Sequence, residues 1–119
     1  MTILNIVILV LIVLLVIPRL IPAKGVRQIT TATLKNELKD KGKQFIDVRT
    51  PADFKGNHIK EFKNIPLHQL AEKSAQLSKD KEVVVICRSG MRSSKACKIL
   101  KKQGFKQITN VKGGMSAWR

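Results

Sequence analysis

The stretch VVVICRSGMR, residues 83–92, joins an apolar run to a short polar loop. Four β-branched residues without polar alternation are typical of a central parallel strand that is covered on both faces. The loop places Cys87 directly after this strand, and apolar residues recur at helical spacing beyond Arg92. The stretch therefore predicts a strand, a loop and a helix, with a thiol at the carboxyl end of the strand.

Strand and helix signals alternate over most of the chain. Strands are predicted at 27–29, 45–48, 82–86 and 107–111, and helices at 32–39, 52–54, 67–77 and from Ser93 to a stop at Gly104. This order favours an α/β fold with a central, mostly parallel sheet flanked by helices. A chain of 119 residues leaves little room for a second core, so we expect one small domain over residues 26–119.

The N-terminal segment has a different composition. From Thr2 to Ile21, only Asn5, Pro18 and Arg19 interrupt a run dominated by Ile, Leu and Val. A helix of about twenty residues covers the roughly 30 Å hydrocarbon core of a bilayer. We therefore predict one transmembrane anchor helix at 2–21 and a linker at 22–25. A cleaved signal peptide or a buried helix is the alternative.

The charge of the chain follows this apolar run. All 23 Lys and Arg and all 8 Asp and Glu come after Pro18, giving a formal net charge of +15. Positive charge behind a span, with none before it, predicts a single-pass protein of the cell membrane whose domain faces the cytoplasm. The lysines are scattered and lack interleaved aromatic residues, so we expect no nucleic acid partner. Anionic lipid or small anionic substrates suit this charge, and so does a plain solvated surface.

The loop after the central strand has the features of an anion site. Backbone N–H groups converge where a short loop meets a helix N-terminus, and Cys87 can supply the anion as its own thiolate, the nucleophilic form of cysteine. Gly90 allows a positive φ or a close backbone approach. The candidate nucleophile is therefore Cys87, and the candidate anion-binding loop consists of Arg88, Ser89, Gly90, Met91 and Arg92.

These residues and their surroundings resemble the rhodanese family of sulfurtransferases over nearly all of residues 26–119. The resemblance rests on IDVR at 46–49, GNHI at 56–59, NIPL at 64–67, CRSGMRS at 87–93 and GGMSAW at 113–118. Two departures concern the second of these regions: Asn57 is inserted between Gly56 and His58, and KEFK occupies 60–63, where relatives often carry Pro-Gly-Ala. The shape of that loop is left open.

The resemblance implies a sulfurtransferase without a metal or an organic cofactor, and the predicted N-terminal helix would anchor it in the membrane. Cys87 would take a sulfane sulfur from thiosulfate or a low-molecular-weight persulfide and pass it to a thiol or cyanide. Asp47 and Arg49, at a strand end, are interpreted as supporting residues that pair with each other or with the backbone.

Two other functions stay open: a non-catalytic rhodanese-like binding module at the membrane, and a Cys-dependent phosphatase. The phosphatase is disfavoured because four residues separate Cys87 from Arg92, whereas phosphatases keep five. We also interpret Asp53 as structural, which leaves no general acid for a leaving alcohol.

The other reactive side chains receive structural interpretations. Cys97 shares a helix face with Ala96 and Leu100, which predicts a small core residue and not a resolving thiol. His58 is interpreted as a structural hydrogen-bonding residue and His68 as a residue of a surface helix. Two histidines without a ligand cluster predict no zinc site.

Overall fold

The structure is a computed structural model that describes residues 2–20 and 25–119 of the chain. The helices are α1 (Ile3–Leu20), α2 (Thr31–Glu37), α3 (Pro51–Gly56), α4 (Leu67–Lys73), α5 (Met91–Lys102) and α6 (Gly114–Ala117), with a 3-10 turn at Ser74–Gln76. The strands are β1 (Val26–Ile29), β2 (Gln44–Asp47), β3 (Lys63–Asn64), β4 (Val83–Ile86) and β5 (Ile108–Val111).

The five strands form one parallel sheet in the order β1-β5-β4-β2-β3. β4 lies in the middle, where Val83 pairs with Gln44 of β2 and with Ile108 of β5. Because these pairings are parallel, the carboxyl ends of the strands share one edge, which is where ligands bind in open α/β sheets. Cys87 follows β4 at this edge, and the predicted central parallel sheet is confirmed.

Helices cover both faces of β4, as its uniformly apolar sequence predicts. All four residues of Val83–Ile86 are 0% exposed. The odd-numbered residues pack in one cluster with Leu70 of α4 and Leu100 of α5, and the even-numbered residues pack in another with Leu34 of α2. Fully burying a Val or Ile side chain contributes about 1.5–3 kcal/mol, so this strand is the centre of the fold.

Two threonine caps determine where α2 and α3 begin. The hydroxyl of Thr30 accepts from the N–H of Thr33, and that of Thr50 accepts from the N–H of Asp53, both over 3.2 Å. Each cap satisfies an N–H group that has no partner inside the helix, and Pro51 suits the first helical position. Both helices therefore begin one residue before the predicted positions, and α3 extends to Gly56.

The helix predicted at 67–77 is shorter than expected. α4 ends at Lys73, the 3-10 turn follows, and Leu77 is extended with φ −99°. Leu77 still packs against the core, but from the chain that leads into β4. The apolar spacing therefore identified a residue that packs on the core, but the predicted helix was too long.

β3 has no clear signal in the sequence, because it consists of two polar residues that pair with Ile46 and Asp47 at the sheet edge. Phe62, just before β3, is buried and packs on Phe45 with 5.3 Å between ring centroids. Ile59 is buried in the same cluster. The loop that departs from the rhodanese pattern is therefore held against the core.

The N-terminal helix α1 leaves its large apolar side chains exposed from Ile3 to Val16. Within residues 2–20 and 25–119, no helix combines the length and the hydropathy that crossing a bilayer requires. The transmembrane helix predicted at 2–21 is not supported by this finding. Its last residue, Ile21, and the linker residues 22–24 lie outside the described residues.

Candidate active site

The sulfur of Cys87 is held at the carboxyl edge of the sheet by the loop that follows it. The backbone N–H of Gly90 donates to Sγ over 2.8 Å, and the thiol donates to the hydroxyl of Ser93 over 3.3 Å. Ser93 is 0% exposed and donates in turn to the carbonyl oxygen of Gly90 over 3.0 Å. The loop therefore curls around the sulfur, and one N–H points at the atom where negative charge would lie.

Gly90 makes this curl possible. Its φ of 99° lies in the left-handed region, which glycine adopts without steric penalty, and it immediately precedes α5. Ser94 stabilises the turn, because both its N–H (3.2 Å) and its hydroxyl (3.0 Å) donate to the carbonyl oxygen of Gly90. Cys87 thus lies beside the positive end of a twelve-residue helix, where an anion is stabilised.

The opposite side of the loop is bound by the chain's last helix. The N–H of Met115 donates to the carbonyl oxygen of Cys87, and the N–H of Ser116 donates to that of Arg88, both over 2.8 Å. Gly114, with φ 53°, packs so closely that a Cβ atom there would overlap with the carbonyl oxygen of Cys87. The C-terminal GGMSAW segment therefore positions the backbone on which the nucleophile stands.

Asp47 and Arg49 form a buried ion pair below this edge. Asp47 is 0% exposed and accepts from Nε of Arg49 over 3.0 Å and from Nη2 over 2.9 Å. Arg49 also donates to the carbonyl oxygen of Asn57 over 2.6 Å, and Asn64 donates to the carbonyl oxygens of Asp47 and Arg49 over 3.0 Å each. These bonds join β2, the 56–63 loop and β3, so the pair braces the loops beside the site and does not contact the sulfur.

A pocket of about 550 Å³ opens onto Cys87. It is lined by Thr50, Asp53, Cys87, Arg88, Ser89 and Arg92. The Cys87 residue is 1% exposed, so the pocket is the route by which a small molecule reaches it. Two arginines and one aspartate therefore line the pocket that leads to the sulfur.

A smaller pocket of about 340 Å³ adjoins the first, since both include Thr50 and Arg92 in their walls. Leu67 and His68 complete its lining. His68 lies on α4 and is exposed, as expected of a surface helix. His58 is exposed outside both pockets; it stacks on Phe54 with 3.9 Å between ring centroids, and its Nδ1 lies 2.7 Å from the carbonyl oxygen of the same residue.

The predicted loop residues divide into two groups. Cys87, Arg88, Ser89 and Arg92 reach the pocket, whereas Gly90 acts through its backbone. The side chain of Met91 lies outside the described residues. Both carboxylate oxygens of Asp47 accept from Arg49, and no hydrogen bond or ion pair among the described residues joins Arg92 to Asp47.

Cys97 is buried on α5 and is a free thiol like Cys87. Burial, and secondarily the charge of Cys87, raises the pKa of the Cys97 thiol to about 12. It therefore stays protonated at physiological pH and packs in the core cluster with Leu100 and Ala96. The predicted core role agrees with this environment.

The sequence interpretation missed two pocket residues. Thr50 reaches the site because it caps α3, and Asp53 reaches it because the first turn of that helix faces the loop. The sequence shows that Thr50 can cap a helix by accepting from the N–H of Asp53. It does not show which side of the domain the start of α3 faces, since that depends on tertiary packing. The structural role assigned to Asp53 is therefore incomplete.

Comparisons with known proteins agree with this geometry. Residues 30–119 match the rhodanese-like domain family. YtwF of Bacillus subtilis strain 168 is 45% identical over 94 residues, which cover 78% of this chain and 90% of YtwF. The thiosulfate sulfurtransferase GlpE of Pseudomonas syringae pv. syringae is 35% identical over 82 residues, covering 69% of this chain and 77% of GlpE. The crystal structure of a rhodanese-like domain protein from Staphylococcus aureus has a TM-score of 0.72 at 34% identity, covering 78% of this chain and 91% of that one.

A parallel sheet with a cysteine at the carboxyl end of its central strand, held by the N–H of Gly90 in the following loop, defines an α/β protein with a cysteine-based candidate site. Within that class, the chain belongs to the rhodanese-like domain family. The predicted family and its small α/β fold are confirmed. Relatives named as sulfurtransferases support sulfur transfer of the rhodanese type.

Proposed function

We propose that the protein is a sulfurtransferase that carries a sulfane sulfur on Cys87 as a persulfide. The observation that carries the proposal is the 2.8 Å hydrogen bond from the N–H of Gly90 to Sγ, at the end of a pocket whose wall includes Arg88 and Arg92. A thiolate is the nucleophile that sulfur transfer needs, and oriented N–H groups stabilise a sulfur anion without rearranging. The donor is thiosulfate or a low-molecular-weight persulfide, and the acceptor is a thiol or cyanide.

In the first half-reaction the thiolate of Cys87 attacks the sulfane sulfur of the donor. With thiosulfate, the donor's S–S bond breaks, sulfite leaves with the bonding electron pair, and Cys87 retains one extra sulfur as a persulfide anion. Charge and sulfur balance, and no external oxidant or reductant is consumed. The guanidinium groups of Arg88 and Arg92 attract the anionic donor, and the N–H of Gly90 is directed at the sulfur that forms the new bond.

In the second half-reaction an acceptor attacks the outer sulfur of the persulfide. The bond between the two sulfurs breaks, and the thiolate of Cys87 leaves with the electron pair. Cyanide becomes thiocyanate, and a thiolate becomes a persulfide. The backbone N–H of Gly90, which donates to Sγ, can also stabilise the thiolate of Cys87 as it leaves.

The two alternatives differ in what they require of the site. A binding module does not need a nucleophile, so a sulfur-loading experiment separates it from an enzyme. For a phosphatase, the presence of Asp53 in the pocket weakens the argument that no general acid is available, yet the four-residue spacing between Cys87 and Arg92 still disfavours a loop that encloses phosphate.

We also propose that the protein is located at the cell membrane as a single-pass protein with its domain in the cytoplasm. The support is the exposed apolar surface of α1 and the positive charge that follows it. β1 begins at Val26, at the amino edge of the parallel sheet, whereas Cys87 follows β4 at the carboxyl edge. Membrane flotation of cell extracts, and labelling of a cysteine introduced at Lys24 in intact cells, would test both parts.

The test of the enzymatic proposal uses the full chain in a mild detergent. The protein is incubated with thiosulfate or glutathione persulfide, freed of donor, weighed by intact mass spectrometry, and then treated with cyanide while thiocyanate is assayed. We expect a gain of one sulfur that cyanide removes, its loss in Cys87→Ser, and its retention in the matched variant Cys97→Ser. No gain with either donor would overturn the proposal in favour of a binding module.

A further inference from the structure

The charge pattern of the pocket points to a class of sulfur donor. Besides Arg88 and Arg92, the wall contains the half-buried carboxylate of Asp53. Among the described side chains, no ion pair engages any of these three groups. The pocket therefore offers both signs of charge to whatever enters it.

A simple dianion does not match this lining. Thiosulfate carries negative charge at both ends and has no group that could bind a carboxylate, so Asp53 repels it while the arginines attract it. The pocket volume of about 550 Å³ also lies within the roughly 300–1,000 Å³ range of sites for organic ligands. Thiosulfate, with its five heavy atoms, would leave most of that space to water.

A zwitterion matches the lining better. An ammonium group can donate to the carboxylate of Asp53 while a carboxylate of the same molecule accepts from Arg88 or Arg92, and charge-assisted bonds of this kind are the strong ones. The adjoining pocket of about 340 Å³, reached past Thr50 and Arg92, has room for the rest of a larger molecule. We propose that the preferred donor is an aminothiol persulfide that carries both an ammonium and a carboxylate group, and that Asp53 selects it by binding the ammonium. This inference rests on the proposed sulfurtransferase function.

The chemical step is the same as with thiosulfate. The thiolate of Cys87 attacks the outer sulfur of R–S–SH, the S–S bond breaks, and R–S⁻ leaves with the electron pair. The leaving thiolate then takes the hydropersulfide proton, which gives R–SH and the persulfide anion of Cys87. Asp53 acts here as a specificity residue and does not contact the reacting sulfurs.

The test compares two donors that differ in the ammonium group: cysteine persulfide and N-acetylcysteine persulfide. Loading of Cys87 in the full chain is timed by acid quench and intact mass, and each rate constant is divided by that of the same donor with a free model thiol. We expect the protein to prefer cysteine persulfide by roughly tenfold, which corresponds to one charge-assisted hydrogen bond. Asp53→Asn should remove this preference and speed thiosulfate loading roughly fivefold by removing a repulsion.

Two controls make the outcome specific. Asp53→Glu retains the carboxylate and should keep the direction of the preference, and Asp80→Asn, at an exposed carboxylate before β4, should leave every rate unchanged. Equal normalised rates for the two donors in the unmodified protein would overturn the zwitterion inference while leaving sulfur transfer intact. Persistence of the preference in Asp53→Asn would overturn the role of Asp53. Failure of all three donors to load Cys87 would instead contradict the proposed function itself.

Discussion

The backbone N–H of Gly90 donates to the sulfur of Cys87 over 2.8 Å. The group that stabilises the nucleophile therefore belongs to the main chain, and a substitution can affect it only through the backbone conformation. The bond exists because Gly90 adopts φ 99°. A Cβ atom at this position would have room, since its nearest neighbour would be the backbone nitrogen of Gly113 at 3.5 Å. The requirement for glycine here is therefore conformational and not one of space.

Gly90→Ala should lower both stability and sulfur loading. The left-handed conformation costs a non-glycine residue about 1–2 kcal/mol, and relaxation of that strain turns the N–H away from Sγ. Losing a hydrogen bond to a charged sulfur should slow loading by about tenfold. Urea unfolding and the timed mass assay measure the two effects. Gly56→Ala, where nothing lies within 4 Å of the new Cβ, is the matched control. Unchanged loading in Gly90→Ala would show that this N–H does not assist the chemistry.

Asp47→Asn should destabilise the fold strongly, because it leaves the guanidinium of Arg49 without a counter-charge at 8% side-chain exposure. Removing one partner of a buried ion pair typically costs about 3–5 kcal/mol. Asp80→Asn breaks a pair with Lys106 in which both side chains are more than 70% exposed, and it should have little effect. Equal unfolding midpoints for the two variants would contradict the bracing role of the buried pair.

The sequence could predict the parts of this fold that depend on local patterns. The uninterrupted apolar run of β4 indicated a strand covered on both faces, and the same pattern placed Cys87 at its carboxyl end. Thr50 and Pro51 are local signals for the start of α3, one residue before the predicted helix, since capping and proline preference act within a few residues. Such signals are carried by neighbours in sequence and can therefore be recognised without a structure.

Other features depend on contacts between distant segments. β3 forms because the backbone of two polar residues reaches the edge of β2, and no side-chain period announces this pairing. Asp53 lines the same pocket as the 87–92 loop because of where the fold places α3, so its sequence position alone suggested a structural role. The site's charge pattern, on which the donor inference rests, thus became visible only in three dimensions.

Gly114→Ala should disrupt the site from the side opposite Gly90. A Cβ at Gly114 would overlap with the carbonyl oxygen of Cys87 and lie 2.8 Å from the carbonyl carbon of Arg88, and both contacts are with backbone that cannot move aside freely. Overpacking of this kind typically costs about 1–3 kcal/mol. We expect a lower unfolding midpoint together with slower sulfur loading. Normal values of both would indicate that the C-terminal segment does not support the loop.

Glu37 should make stability depend on pH in the acid range. Its hydrogen bonds from Arg27, aided by Lys43, lower the pKa of the Glu37 carboxyl to about 2 despite partial burial. Between about pH 2 and 4.5 the Glu37 carboxyl is deprotonated in the folded protein but protonated in the unfolded chain. The stabilisation that Glu37 contributes is therefore complete above pH 4.5 and is lost as the pH falls through this window.

The free energy of unfolding should change by at most about 1.4 kcal/mol per pH unit in this window. Solvent screening makes the change smaller, because the side chain of Arg27 is 47% exposed. Urea unfolding of the unmodified protein and Glu37→Gln at pH 7.0, 4.5 and 3.5 isolates this contribution as a difference. The variant should be the less stable at pH 7 and should lose less stability on acidification. Glu72→Gln, at an exposed position, controls for the general loss of a carboxylate. Parallel curves for the unmodified protein and Glu37→Gln would contradict the assigned role.

Cys97 should have the opposite effect, at alkaline pH. Its thiol has a pKa of about 12 in the folded protein, mainly because of burial, against an ordinary value of 9.0 that applies after unfolding. Between these two values the unfolded chain has lost the proton that the folded protein retains, so stability falls as pH rises above about 9, by roughly 1.4 kcal/mol per pH unit. Urea unfolding of the unmodified protein and Cys97→Ala at pH 7.5, 9.0 and 10.0 measures this loss. The alanine variant should be the less stable at pH 7.5, because it removes buried sulfur contacts, and the gap should narrow as pH rises. A constant gap would mean that the Cys97 thiol ionises as easily in the folded protein as in the unfolded chain.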